Sequence, residues 1–169
     1  MHYQVQVPNA HAAGIVEVFS PYDGKRIGSV ETIDAGGAEV ALKNMAAVFD
    51  DRRHWIPAYE RIAILERAAA LMRERAEQLI ALAIAEGGKP YLDTKIELNR
   101  AISSLQNCID CIRTEHGSEV PMQLNVASMN RLAFTHREPI GPVVAVSAFN
   151  HPLNLVIHQI GPAIACGCP

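Results

Sequence analysis

The stretch that decides the fold is Arg137-Glu-Pro-Ile-Gly-Pro-Val-Val-Ala-Val-Ser-Ala-Phe-Asn-His-Pro-Leu-Asn154. Its apolar run, Pro142 to Phe149, ends abruptly in a polar triplet, and a pattern compatible with a helix follows. The run predicts a buried strand, and the proline after it favours the first turn of a helix. Ligands of open α/β sheets bind at the carboxyl ends of strands, so chemistry is expected at Asn150 and His151.

The chain before this stretch predicts a hairpin followed by helices. Two β-rich runs, Ile15–Phe19 and Arg26–Val30, flank a turn rich in proline, aspartate and glycine. Asp34 is placed to cap the next helix. Residues 1–11 are expected to form a loose or edge-paired arm.

Two longer helical patterns follow the capped helix. The first begins at Pro57 and ends at Gly87-Gly-Lys-Pro90, with a break expected near Arg73–Ala76. The second spans Leu92–Arg113 and places Ile96, Ala101, Leu105 and Ile109 on an inward face. A short strand is expected over Arg131–His136, and a helix over residues 152–165 that Pro162 should kink.

Composition excludes several functional classes. A net charge of −3 gives no electrostatic footprint for nucleic acid, and no apolar run is long enough to cross a membrane. The N-terminus lacks a secretory signal, so a cytoplasmic protein with reduced thiols is expected. Only four charged residues follow Gly117. A segment so poor in charge should be buried, which suggests that the chain ends early or that a partner covers it.

The four cysteines allow two interpretations. Cys108, Cys111, Cys166 and Cys168 could supply a set of metal-binding thiolates. The first pair lies within a predicted helix and the second in an apolar segment, so buried structural thiols are expected and no metal site is predicted.

Asn150 is the first candidate for chemistry. A side-chain amide at a strand end can donate to an oxygen that gains negative charge during acyl-type chemistry. An asparagine that only shapes a turn or caps a helix has the same local pattern.

The chain carries several motifs in series: the turn Pro21–Gly24, the helix end Glu86-Gly-Gly-Lys-Pro90, the helix segment Glu97-Leu-Asn-Arg100, and Pro139-x-Gly141 leading to Asn150-x-Pro152. Together they resemble the NAD(P)-dependent aldehyde dehydrogenase family. The resemblance implies an α/β fold, with the hairpin and helices leading into a doubly wound parallel sheet that is incomplete in this chain. None of the four cysteines matches the family's nucleophile, which is expected beyond residue 169.

The resemblance also implies a division of the chain. Residues 1–33 would contribute an arm and hairpin to the oligomerisation region, and residues 34–117 the helical part of the cofactor-binding domain. Residues 118–136 would form a strand or linker of the oligomerisation region. Residues 137–169 would start the dinucleotide-binding sheet.

The roles implied for site residues follow from the same motifs. Asn150 would be the oxyanion donor, and Val146, Ser147, Ala148 and Phe149, together with Asn150, would lie against the nicotinamide of NAD or NADP. A homodimer or homotetramer is expected. The chain alone, without nucleophile, general base or dinucleotide turn, is expected to be inactive.

Arg100 and His151 are the candidates for substrate binding. Arginine suits paired hydrogen bonds to phosphonate, sulfonate or carboxylate oxygens, and a histidine departs from the family's usual apolar residue after the asparagine. Together they resemble the branch that handles small anionic aldehydes, with phosphonoacetaldehyde the leading substrate. A solvated Arg100, a capping His151, a succinate-semialdehyde-type enzyme and a non-catalytic binding or assembly module remain alternatives.

Overall fold

The computed structural model describes residues 1–169, and its N-terminal part is a small sheet. Strand β1 (His2–Tyr3) pairs in parallel with β3 (Arg26–Thr32), which pairs antiparallel with β2 (Gly14–Phe19). The predicted hairpin and edge-paired arm are therefore confirmed.

Four helices follow in the predicted order. Helix α1 spans Ala35–Asp50 and α2 Ala58–Glu74; α3 spans Ala76–Gly87 and α4 Tyr91–Thr114. The Asp34 side chain accepts a hydrogen bond from the Gly37 N–H at 2.9 Å, which confirms the predicted cap. Arg75 separates α2 from α3, where the break was expected, and Gly88 caps α3 with φ = +64°.

Helix α4 is the centre of the molecule. It packs against α2, α3 and the last helix, α5, which spans Asn154–Cys166. Three of its predicted inward residues, Ala101, Leu105 and Ile109, are buried, whereas Ile96 is exposed and the prediction was wrong there. The core contains nine buried side chains, drawn from α2, α3, α4 and α5: Leu65, Ala69, Ile80, Leu98, Ala101, Ile102, Leu105, Ile109 and Ile157.

The region between α4 and α5 differs from the prediction. Strands β4 (Glu119–Val120) and β5 (Ala133–Phe134) form a two-stranded antiparallel pair, so the strand expected over Arg131–His136 is only two residues long. A short 3₁₀ helix, Val126–Ser128, lies between them.

The apolar run Pro142–Phe149 is neither a strand nor buried. It joins neither sheet, and Val146 and Phe149 are 80% and 89% exposed. The prediction of a buried strand was wrong for this structure, because a strand of a parallel sheet needs neighbouring strands for its backbone groups and none lies beside this segment. The prediction that the charge-poor C-terminal third is buried was wrong for the same residues. The five α-helices include no candidate for a membrane span, because none combines the required length with the required hydrophobicity.

Candidate functional site

The candidate site is the turn that leads into α5. Asn150 is exposed, and its side-chain amide makes no hydrogen bond within the chain. The N–H of Leu155 donates to the carbonyl of His151 at 2.9 Å, so helical hydrogen bonding begins around Pro152. The expected proline in the first turn is consistent with this bond, and the free amide of Asn150 lies just before the helix.

A carboxylate from another helix caps the amino end of α5. Glu97 Oε1, on α4, accepts hydrogen bonds from the N–H groups of Leu153 at 2.7 Å and Asn154 at 2.9 Å. No side chain of the turn itself caps α5. Because the amino end of a helix has unpaired N–H groups and a partial positive charge, a buried anion is stabilised there.

Lys89 completes a polar cluster around the turn. Its ammonium forms an ion pair with Glu97 Oε2, lies 2.7 Å from His151 Nδ1 and donates to the carbonyl of Asn150 at 3.4 Å. A lysine has three N–H donors and no acceptor, so these three partners match its capacity. His151 Nδ1 therefore accepts, and the neutral ring carries its proton on Nε2.

The cluster keeps the buried carboxylate ionised. The side chains of Glu97 and Lys89 are 1% and 14% exposed. Burial would raise the pKa of Glu97, but the hydrogen bonds from Lys89 and from the backbone N–H groups of Asn154 and Leu153 outweigh it. The pKa of Glu97 consequently lies below the ordinary value of a glutamate.

The two predicted substrate-binding residues lie in different settings. His151 is held by Lys89 and lies 3.5 Å from Glu97 Oε2. Arg100, one turn along α4 from Glu97, is exposed and lines a shallow pocket whose other walls are Ile96, Asn99, Ser103, Ser104 and His158. His151 is not part of that pocket wall, so the structure does not join the two residues in one cavity.

The predicted cofactor residues present an open surface. Ser147, Ala148 and Phe149 make no hydrogen bonds within the chain, and the carbonyl of Val146 accepts one from Gln159 Nε2 at 2.9 Å. Free backbone groups beside exposed apolar side chains fit a planar ring that carries an amide. The cofactor role of Val146–Asn150 stays a prediction.

The cysteines are less buried than expected. Cys111 and Cys166 are exposed, and Cys108 and Cys168 are half-buried, so the prediction of buried thiols was wrong. Burial, and then the neighbouring thiols of Cys111 and Cys166, raise the pKa of Cys108. A raised pKa disfavours the thiolate, which does not suit Cys108 to nucleophilic attack.

Lys89 and Glu97 are the residues that sequence reasoning missed. Both lie in motifs that carry the family resemblance, but those motifs predict no function for either residue. The available signal was the position of Glu97, between Thr94 and Ala101 on the inward face of α4. A charged residue on an apolar face requires a buried partner, but its identity depends on how α5 packs.

Comparison with known proteins decides the family. The profile of the aldehyde dehydrogenase family matches residues 8–169. The chain belongs to the aldehyde dehydrogenase family. A 3-sulfolactaldehyde dehydrogenase of Priestia megaterium is 37% identical over 125 residues, which are 74% of this chain and 26% of that relative.

Solved aldehyde dehydrogenases share the fold. Aldehyde dehydrogenase 21 of Physcomitrella patens, in complex with the product succinate, matches all of this chain with a TM-score of 0.87 and 28% identity. The glyceraldehyde-3-phosphate dehydrogenase of Methanocaldococcus jannaschii, complexed with NADP, matches 90% of it with a TM-score of 0.80 and 30% identity. This chain covers 36% and 32% of those two chains, so it corresponds to about a third of an aldehyde dehydrogenase. The α/β fold predicted from the sequence is thereby confirmed.

Proposed function

We propose that the protein containing this chain is an NAD(P)-dependent aldehyde dehydrogenase that oxidises a small anionic aldehyde to its acid. The observation that carries the proposal is the turn before α5. It presents the unpaired amide of Asn150 to solvent while Lys89 and Glu97 hold its backbone. A donor without partners in the chain, on a turn whose backbone is anchored, is what stabilisation of an oxyanion requires.

In the proposed reaction, a cysteine thiolate from beyond this chain attacks the aldehyde carbon, and the carbonyl oxygen gains negative charge. The Asn150 amide donates a hydrogen bond to that oxygen. A bound NAD(P) would supply the acceptor for the hydride that leaves the former aldehyde carbon. Water, activated by a base from beyond residues 1–169, would then hydrolyse the resulting thioester, which releases the acid and the cysteine thiol. Val146–Phe149 would hold the nicotinamide side of the cofactor. The backbone groups of residues 147–149 are free, and the apolar side chains of the segment can exclude water.

The proposal that the substrate is anionic rests on Arg100 and His151 and on the names of the relatives. Arg100 offers an exposed guanidinium, and His151 offers an imidazole whose Nε2–H can donate. Two of the relatives are named for a sulfonated and a phosphorylated aldehyde, and the third is in complex with a dicarboxylate product. Phosphonoacetaldehyde is the specific substrate we propose. The succinate complex favours a carboxylated aldehyde, such as succinate semialdehyde, as the second candidate.

The test of substrate charge is Arg100→Ala in the complete enzyme. We expect kcat/KM for anionic aldehydes to fall by about 10- to 100-fold, because a hydrogen bond to a charged group contributes about 1.5–3 kcal/mol. Propionaldehyde, a neutral aldehyde of similar size, should react at a nearly unchanged rate.

Arg67→Ala is the matched control, because Arg67 is an exposed helical arginine that makes no hydrogen bond. Equal losses for anionic and neutral aldehydes in Arg100→Ala would remove Arg100 from the substrate site.

A non-catalytic assembly module is the candidate from another class. The exposed apolar segment that contains Val146 and Phe149 favours it, because such surfaces mark docking sites. The mass of the native gene product and its aldehyde-dependent formation of NAD(P)H separate the two. A product near 18.4 kDa without dehydrogenase activity would support the module.

A further inference from the structure

We propose that the buried ion pair of Lys89 and Glu97 is a positioning device that sets the orientation of the Asn150 amide. This inference rests on the proposed function of Asn150. Neither residue touches the proposed reacting atoms, so both would act through the turn.

The pair holds the turn on both sides of Pro152. Before the proline, Lys89 Nζ contacts the carbonyl of Asn150 and His151 Nδ1 at 3.4 and 2.7 Å. After it, Glu97 Oε1 binds the N–H groups of Leu153 and Asn154 at 2.7 and 2.9 Å. Two fixed points on either side of a residue with restricted φ leave the backbone of Asn150 little freedom.

The contact with His151 extends this control to a second side chain. Because Nδ1 accepts from the Lys89 ammonium, the proton of the neutral ring lies on Nε2. The ring is 44% exposed, so it combines a fixed tautomer with access to solvent. The same lysine therefore fixes the backbone of Asn150 and the donor of His151.

Energetics favour positioning over stability as the role of the pair. Removing two charges from water costs free energy that their attraction only partly offsets, so a buried ion pair is a poor source of stability. An apolar contact between α4 and α5 would hold the helices together equally well. Only directed polar groups can hold a carbonyl, an imidazole and two N–H groups in fixed relative orientations.

The decisive variant is Lys89→Met/Glu97→Gln in the complete enzyme. The glutamine oxygen can still accept from Leu153 and Asn154, and no unpaired buried charge remains, so the melting temperature should stay near that of the wild type. The carbonyl of Asn150 nevertheless loses its donor, whereas the glutamine N–H group, in the place of Glu97 Oε2, lies within reach of His151 Nδ1. We expect kcat to fall by about 10- to 100-fold.

The loss must act through Asn150 to support the proposal. In an Asn150→Ala background, Lys89→Met/Glu97→Gln should cause no further loss of kcat. Thr94→Val is the control: Thr94 is buried three residues before Glu97, but its hydroxyl donates to the carbonyl of Pro90. A wild-type kcat in a stable double variant, or a loss that persists in full without Asn150, would overturn the proposal.

A spectroscopic arm separates this inference from the proposed function. Nitrogen-15 NMR of labelled histidine should show His151 in the Nε2–H tautomer, and Lys89→Met should admit the Nδ1–H form, which can donate to Glu97. If the tautomer changes as expected in a protein without dehydrogenase activity, the lysine contact stands but the proposed function fails. If His151 is not in the Nε2–H form, the positioning proposal fails whatever the activity.

Discussion

At the scale of single residues, Asn150 and Glu97 have different roles at the turn before α5. Asn150 leaves its side-chain amide free, whereas Glu97 uses both carboxylate oxygens within the protein. The free group is available for a ligand, and the occupied one is structural. Sequence motifs pointed to the first residue only.

Replacing Asn150 tests the proposed oxyanion donor. In the complete enzyme, Asn150→Ala should lower kcat by about 10²- to 10³-fold, because removing one such donor has this effect in other enzymes. KM for NAD(P) should change little, since backbone groups form most of the proposed cofactor contact.

Asn107→Ala provides the control, because Asn107 is an exposed asparagine on α4. Steady-state kinetics on both variants decide the matter, and a kcat within about twofold of the wild type in Asn150→Ala would rule out the role.

Glu97 should make stability depend on pH. Its pKa is lower in the folded protein than the ordinary value of about 4.3, so the folded state binds this proton less readily than the unfolded chain. The stabilisation of the folded state by ionised Glu97 is therefore fully present above about pH 4.3. It is lost as the pH falls through the lower pKa of the folded state.

Chemical denaturation of residues 1–169 between pH 6 and pH 3 measures this effect. Glu97→Gln should be less stable than the wild type near neutral pH, and the difference should shrink as the pH falls. Glu66→Gln is the control, because Glu66 pairs with Arg113 on the surface. A difference independent of pH would contradict the assignment.

At the scale of elements, predictions succeeded wherever the signal was local. The Asp34 cap, the hairpin turn and the break between α2 and α3 each depend on residues within a few positions. The prediction of a strand over residues 142–149 was wrong, because a strand needs partner strands that are distant in sequence. The Glu97 cap was missed for the same reason, since the groups it binds lie 56 and 57 residues away.

The end of α3 offers a test of local backbone chemistry. Gly88 has φ = +64°, which costs a residue with a Cβ atom about 1–2 kcal/mol. Gly88→Ala should therefore lower the free energy of unfolding by roughly that amount, although the added methyl would meet only Pro21 Cγ at 3.4 Å.

Gly87→Ala is the matched control, because Gly87 is helical and a Cβ atom there meets open space. Urea unfolding should find this variant equal to or slightly more stable than the wild type. Equal destabilisation of both variants would mean that backbone strain is not the cause.

At the scale of the whole molecule, the buried core is formed by four of the five helices only. Nine side chains from α2, α3, α4 and α5 are packed together, whereas residues 142–149 remain largely uncovered. Composition had indicated that the charge-poor third needs a cover. Nothing in these 169 residues packs over the segment, so the sequence carries no signal for a covering surface.

The uncovered segment should make the isolated chain associate. We expect residues 1–169 to form concentration-dependent oligomers in sedimentation velocity, because exposed apolar side chains favour contact with one another. The Val146→Ser/Phe149→Ser variant should associate only at higher concentration.

Tyr22→Ser serves as the control, since Tyr22 is equally exposed but lies in the hairpin turn. If Tyr22→Ser lowers association as much as the double variant does, the 142–149 segment is not the contact.

The capping of α5 by Glu97 also has a consequence for the order of folding. The turn at Asn150 cannot complete its hydrogen bonds locally, because its acceptor lies 56 residues earlier in the chain. Closing a loop of that length costs entropy before any contact compensates for it, so the turn should become ordered only after α4 has formed and α5 has docked. During synthesis, Lys89 and Glu97 leave the ribosome well before the turn does. The Glu97 carboxylate, which accepts the hydrogen bonds of the turn, is therefore synthesised before the turn itself. This order favours folding in the direction of translation.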